Sequence, residues 1–360
     1  MRKIIAIWMV MAMALCFAAC GQTEETAQEE EDQTAEIALI IDGDIEDGGF
    51  NQVTWESIES FCTEHELTCA YYKSSGDTDE AIDKTVKEII EKKGKLLIFA
   101  GSDFETAVYR LQKEHEDLYF YLIDGVPHDK KDKYEYGVAD NSIGVLFAEE
   151  QAGYLAGYAA VMDGYKSFGF LGGEELPSVK RYGYGFLQGI SAAATEKGMK
   201  DEIDVRYQYA GTFEATPEVQ KVAEEWYADG TEVIFSCGGA IIKSVIKAAE
   251  AKGGKIIGVD TDQSGLSETI ITSAKKRIDE ALDDVLKEYN RGNFVGNNVF
   301  NYTANNKGVG LEMTNARFNS FDQSQYKEIF NQIKEGSVQI DKDAEEEDME
   351  DELNNIHLIR

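Results

Sequence analysis

The stretch Ile256-Ile257-Gly258-Val259-Asp260-Thr261-Asp262-Gln263 decides the fold. A short apolar run closed by an acidic pair reads as a parallel strand, because strands covered on both faces lose the alternation of half-exposed ones. In open α/β sheets ligands sit beyond the carboxyl ends of such strands, where Asp260 and Asp262 fall. The pattern recurs. The run 37–41 leads into Asp42-Gly43-Asp44, 96–99 into Gly101-Ser102-Asp103, 119–123 into Asp124-Gly125, 168–171 into Gly172-Gly173, and 233–235 into Ser236-Cys237-Gly238-Gly239. Gly and Asp are favoured in any strand-to-helix turn, so one such end says little. Six together outline the rim of a crevice.

Helical patterns lie between these runs. Residues 51–64 put Trp55, Ile58 and Phe61 or Cys62 on one face, with Asp47 placed to favour the N-terminus. Residues 79–92 carry Ile82, Val86, Ile89 and Ile90 at i, i+4, i+7 and i+8. This βαβαβ alternation predicts parallel sheets with helices on both faces. The segment 147–162 is rich in small residues, among them Ala148, Ala152, Ala156, Ala159 and Ala160, and reads as a closely packed helix opening a second lobe. The expected organisation is α/β and two-lobed, each lobe a parallel sheet flanked by helices, with a ligand cleft between them. Lobe 1 is assigned 37–141 plus about 267–296, lobe 2 is assigned 142–266 plus about 297–340, and 341–360 an acidic tail.

Composition narrows the function. The 360 residues, 43% of them hydrophobic, suffice for two lobes. A formal net charge of -33, from 68 acidic and 35 basic residues, argues against nucleic acid and against polyanionic substrates. Arg2 and Lys3 precede an apolar run ending in Ala18-Ala19, a secretory signal over 1–19. Cys20 directly follows, in Phe17-Ala18-Ala19-Cys20-Gly21, and is the expected lipidation site. Residues 20–36 form an acidic tether without packing residues. Cys62 and Cys69 are compatible with an exported disulfide or with two reduced thiols. No Cys or His spacing fits a metal, no cofactor is expected, and no P-loop, G-x-S-x-G or H-E-x-x-H motif occurs. With no catalytic residues in view, reversible capture of a small molecule is the expected activity.

The segment Asp47-Gly48-Gly49-Phe50-Asn51-Gln52-Val53-Thr54-Trp55-Glu56 resembles the opening motif of the basic membrane protein (BMP) family, the purine nucleoside receptor A-like substrate-binding lipoproteins of ABC transporters. Further similar segments are 99–104, 121–124, 150–160, 169–173, 185–189, 257–263 and 272–277, in the family's order. Two loops depart from it: Gly48-Gly49 replaces a polar pair, and Cys237-Gly238-Gly239-Ala240 replaces a Gly-Thr-rich turn. The resemblance implies a type I periplasmic-binding-protein fold and a nucleoside ligand, with a purine expected. It implies permease and ATPase partners, a monomer, and attachment to the extracytoplasmic face of the cell membrane through the lipid alone. A sensor or an uncharged-sugar receptor of the same fold is the alternative. The ligand-binding positions it implies are Phe50 and Asn51 for the base, Asp260 and Lys276 (or its neighbour Lys275) for the ribose, and Asp124 as a base contact. Phe213 and Gly238 join them because they follow second-lobe strands.

The lipidation site yields a direct test. Cys20→Ala should move the processed protein from the membrane pellet to the soluble exported fraction, because the tether has no apolar surface of its own. Unchanged partition in a fractionation assay would exclude Cys20 as the anchor.

Overall fold

A computed structural model describes residues 34–343 apart from 77, 132–134 and 200–202, together with 353 and 355–359. The expected signal, Cys20 and the tether up to Gln33 lie outside the described residues. In chain order the first elements are β1 (Ile37–Ile41), α1 (Phe50–His65), β2 (Cys69–Lys73), α2 (Asp79–Glu91), β3 (Leu96–Ala100), α3 (Glu105–Glu114), β4 (Tyr119–Ile123) and β5 (Ser142–Phe147). Then come α4 (Glu149–Met162), β6 (Ser167–Gly172), α5 (Pro177–Glu196), β7 (Ile203–Tyr209), α6 (Pro217–Ala228), β8 (Val233–Cys237), α7 (Ile241–Lys252) and β9 (Lys255–Asp260). The last are β10 (Ile270–Lys276), α8 (Ile278–Asn290), β11 (Asn298–Tyr302), β12 (Val309–Leu311), α9 (Gln323–Lys334) and β13 (Ile356–Ile359).

Two sheets result. The first has the order β11-β5-β4-β3-β1-β2 and is parallel throughout. The second has the order β12-β10-β9-β8-β6-β7-β13, with only β12 antiparallel. Side-chain alternation along β1 sorts its residues. Ile37, Leu39 and Ile41 pack in the cluster that includes α1 and α8, whereas Ala38 and Ile40 pack with α2 and α3. The second sheet is covered by α6 and α7 on one face and by α4 and α5 on the other. Burial on both faces explains the continuous apolar runs.

The chain passes between the sheets three times: from β5 to α4, from β10 to α8, and from β11 to β12. These crossings correct the expected lobe boundaries. β5 pairs with β4 and β11 with β5, so 142–147 and 298–302 belong to the first sheet, not the second lobe. β10 pairs with β9 and belongs to the second sheet, not the first. An apolar run fits either sheet equally well, and only pairing decides. The acidic tail is also revised, because 356–359 adds an edge strand beside β7. Glu36 is not free tether either: Tyr289 donates a hydrogen bond to its carboxylate, and Ala35 is buried. Cys62 and Cys69 are free thiols, Cys62 buried.

α4 is buried almost all round, which the small-residue reading anticipated. Its contact with α5 depends on glycines of both helices. A Cβ at Gly153 or Gly157 would collide with the α5 carbonyls of Tyr182 or Phe186. One at Gly185 or Gly189 would collide with the α4 carbonyls of Glu150 or Tyr154. The two backbones therefore touch, and a side chain there requires them to separate. Gly185→Val should cost about 3 kcal/mol, the upper end for overpacking, measured as a lower urea midpoint. Gly265→Ala, in open space, should stay within about 0.5 kcal/mol of wild type. Equal midpoints for the two variants would refute the backbone contact.

Candidate functional site

The carboxyl ends of both sheets face one cleft with about 820 Å³ of empty space, its open mouth included. Loops after β1, β3 and β4 supply one wall; the loops after β6, β7 and β8, the start of α5 and the ends of β9 and β10 supply the other. All seven candidate residues line it: Phe50, Asn51, Asp124, Phe213, Gly238, Asp260 and Lys276.

The first wall is built on the start of α1. Asp47 is buried, and its carboxylate accepts hydrogen bonds from the backbone N–H of Gly49 at 2.7 Å, Asn51 at 3.0 Å and Gln52 at 3.1 Å. It thereby satisfies donors that a helix start leaves open, and it fixes Phe50 and Asn51 against the cleft. The Asn51 amide nitrogen donates to the carbonyls of Asp42 at 3.0 Å and Asp44 at 3.2 Å. Its Oδ1 is the atom left to meet a ligand, so Asn51 offers an acceptor.

Asp124 and Asp260 end β4 and β9 with φ of 63° and 66°. Aspartate tolerates this left-handed region better than most residues, and the turn aims both carboxylates inward. Between them sits Lys276, the last residue of β10, with its side chain 2% exposed. Its ammonium hydrogen-bonds Asp124, lies 3.3 Å from Glu149 Oε1 and 3.8 Å from Asp260 Oδ1. The ring centroids of Phe50, Tyr182 and Phe147 stand 5.3, 5.4 and 5.5 Å from it. The adjacent Lys275 pairs instead with Glu312 at 2.9 Å, which resolves the choice between the two lysines by strand alternation.

On the second wall the Phe213 ring lies over Gly173 and Gly238. A Cβ at Gly238 would stand 2.7 Å from Gly173 N and 3.1 Å from Phe213 Cδ1. Gly238 is thus needed for close approach between these loops, and Phe213 is the side chain that shapes the cleft. Asp262, placed on the rim by its sequence position, turns away: its carboxylate accepts from Ser264 N at 3.0 Å and Asn315 Nδ2 at 2.7 Å. Glu149 and Tyr182 were not foreseen. Both are fully buried beside Lys276, and a Glu in the first turn of a helix ordinarily reads as a solvated helix-dipole partner.

The electrostatics are one-sided. Asp42, Asp44, Asp47, Asp103, Asp124, Glu174 and Asp260 line the cleft against a single cation, Lys276. Burial pushes the Asp260 carboxyl up to about 7, with Asp124 and Asp47 adding to the rise and Lys276 opposing it. Burial likewise pushes Glu149 up to about 8 against the pull of Lys276. One Oδ1 of Asp124 is buried without a hydrogen-bond partner among the described residues. Such a floor accepts hydrogen bonds from an uncharged donor and repels an anion.

Two parallel sheets flanked by helices, with a cleft between their carboxyl ends, place the chain in the type I periplasmic-binding-protein fold. A solute-binding protein of an ABC transporter system from Aeropyrum pernix K1 superposes with a TM-score of 0.74 at 18% identity, covering 88% of this chain and 95% of that one. An ABC transporter periplasmic solute-binding protein from Actinobacillus succinogenes 130z, with bound D-allose, gives 0.58 at 14% identity over 82% and 99%. More specifically, the sequence profile of the PnrA-like ABC transporter substrate-binding proteins (Bmp) matches residues 34–344, and the chain belongs to this family. Among its relatives are the ABC transporter nucleoside-binding protein BmpA of Lactococcus lactis subsp. cremoris, 26% identical over 88% of this chain and 92% of that protein, and the CD4+ T-cell-stimulating antigen of Listeria innocua, 26% identical over 85% and 89%.

The raised Asp260 pKa has a signed consequence. A carboxyl with a higher pKa in the folded than in the unfolded chain holds its proton more tightly when folded. Its stabilisation is full below the ordinary value of 3.8 and is lost as pH rises through about 7. Asp260→Asn lacks this proton, so its melting temperature should gain on wild type between about pH 4 and pH 8. Parallel melting curves across that range would mean that Asp260 ionises as an ordinary carboxyl.

Proposed function

We propose that this chain is the lipid-anchored, extracytoplasmic binding subunit of an ABC importer and that it captures nucleosides, purine nucleosides above all, in the interlobe cleft. The observation that carries this reading is the lining: seven carboxylates and one lysine around an aromatic ring. A phosphate there meets like charge with one buried cation already paired. A ribose presents hydroxyl donors to Asp260, and a flat base presents its face to Phe50 and its edge to Asp124 and Asn51. Phe213 closes the opposite side. The nucleoside-binding name of the Lactococcus relative supports the same ligand class. Cys20 supplies the membrane attachment, permease and ATPase subunits are the partners, and the protein acts as a monomer without a cofactor.

Calorimetry of the purified protein against guanosine, guanosine monophosphate and ribose tests the reading. Guanosine should bind most tightly. Asp260→Ala should weaken it by roughly 1.5–3 kcal/mol, the range for a hydrogen bond to a charged group, or about ten- to 150-fold. Phe50→Ala should cost about 1–3 kcal/mol through lost stacking. Tighter binding of the monophosphate, or guanosine binding indifferent to Asp260→Ala, would refute the assignment; ribose binding as tightly as guanosine would replace the nucleoside with a sugar.

A further inference from the structure

Two of the three interlobe crossings end beside one ammonium. The β5–α4 crossing places Glu149 in the first turn of α4, its side chain 1% exposed. The β10–α8 crossing places Lys276 at the end of β10. Glu149 is not among the residues that line the cleft, whereas Asp124, Asp260 and Lys276 are. It therefore stands behind the lysine, while a carboxylate from each lobe stands in front. Its Oε1 is 3.3 Å from the ammonium; its Oε2 is buried without a hydrogen-bond partner among the described residues, 3.7 Å from Arg181 Nη1 on α5. Aromatic rings flank the rest of the lysine head. An ammonium on a flexible four-carbon stem is strongly hydrated and has no preferred direction of its own, so its position depends on these fixed acceptors.

We propose that Glu149 is a positioning residue. From the first crossing it holds the ammonium of the second crossing between Asp124 and Asp260, and so sets the geometry in which both lobes present their carboxylates to the ligand. The inference deepens the nucleoside reading and rests on it for the ligand alone. The charged and titratable groups around the ammonium are Asp47, Asp124, Glu149, Asp260, Arg181, Tyr182 and Cys237. Carboxylates outnumber cations among them. Glu149 ionises only as pH rises through about 8, so Glu149→Gln removes a charge beside the lysine above that pH and leaves the charge balance unchanged below it.

Two readouts on the full chain separate positioning from a merely structural role. The first needs no ligand: acetylation of Lys276 by an N-hydroxysuccinimide ester, followed by peptide mass spectrometry with the exposed Lys221 as internal reference. Lys276 should react slowly in wild type, and Glu149→Gln should raise its rate relative to Lys221 at least fivefold, because the amine loses both its anchor and part of its raised basicity. The second is guanosine affinity across about pH 5.5–8.5. Glu149→Gln should weaken binding about tenfold and remove the change in affinity that wild type shows near pH 8, where Glu149 ionises, whereas a general loss of structure would lower affinity equally at every pH. Glu149→Asp, which keeps the carboxyl but withdraws it by one methylene, should fall between the two and serves if the glutamine variant does not fold. An unchanged labelling ratio overturns the proposal. So does faster labelling with unchanged affinity and pH profile, since the positioning would then not reach the ligand. If wild type binds no nucleoside, the nucleoside reading fails separately, and the labelling ratio alone decides this inference.

Discussion

The buried ammonium of Lys276 is the constraint around which the cleft is arranged. Taking a cation out of water costs several kcal/mol even after relaxation, and the cost is recovered only where anions and hydrogen bonds surround it. Here the anions come from separate parts of the chain: Asp124 at the end of β4, Glu149 at the start of α4 and Asp260 at the end of β9. Each lies where the chain leaves a strand or enters a helix, and two of the four residues sit on interlobe crossings. The cluster therefore ties the lobes together at their base. Burial, with neighbouring carboxylates adding to it and Lys276 opposing it, raises the pKa of Asp260 and Glu149, and Asp124 Oδ1 and Glu149 Oε2 stay buried without a hydrogen-bond partner among the described residues.

The arrangement also requires a rigid base. α4 starts at Glu149, so any play in α4 moves Glu149 directly. The glycine contacts with α5 remove that play by bringing the two helix backbones together. α5 in turn carries Tyr182, which donates to Asp260 at 3.5 Å, and Arg181, which faces Glu149. One helix pair thus positions groups on both sides of the lysine. This is how packing reaches the chemistry: small residues that read as mere interhelical filler set where charged groups stand.

Much of this was legible in the sequence because strand ends carry their own marks. Apolar runs closed by Asp or Gly identified β1, β3, β4, β6, β8 and β9, and their loops do converge on the cleft. β2 was missed because Cys-Ala-Tyr-Tyr-Lys is a half-exposed edge strand without an uninterrupted apolar run. β5 was missed, and the lobe boundaries with it, because which sheet a strand joins is decided by pairing between segments remote in sequence. Asp262 was misplaced because β9 ends at Asp260, whose φ of 66° turns the chain out of the strand, so the alternation that would put Asp262 on the face of Asp260 stops there. Glu149 was invisible for a different reason: two adjacent glutamates opening a helix look like exposed dipole partners, and only the β5–α4 crossing buries them.

The contacts that join the two walls at the rim are few. Lys243 of α7 donates to the Glu46 carbonyl and lies 3.7 Å from Asp44, with both side chains about two-fifths exposed. Gln263 Nε2 donates to the Gly48 carbonyl at 2.9 Å. An exposed ion pair contributes only about 0–1 kcal/mol and a single hydrogen bond about 1 kcal/mol, so the rim cannot hold the lobes together strongly by itself. That weakness suits a protein that must release what it captures. A ligand touching Phe50, Asn51 and Asp124 on one wall and Phe213 and Asp260 on the other needs only a few kcal/mol of preference for the closed form to shift the balance. The base of the cleft is held by buried charge, whereas its rim carries an exposed ion pair and a part-buried hydrogen bond, so the rim is the weaker of the two joints.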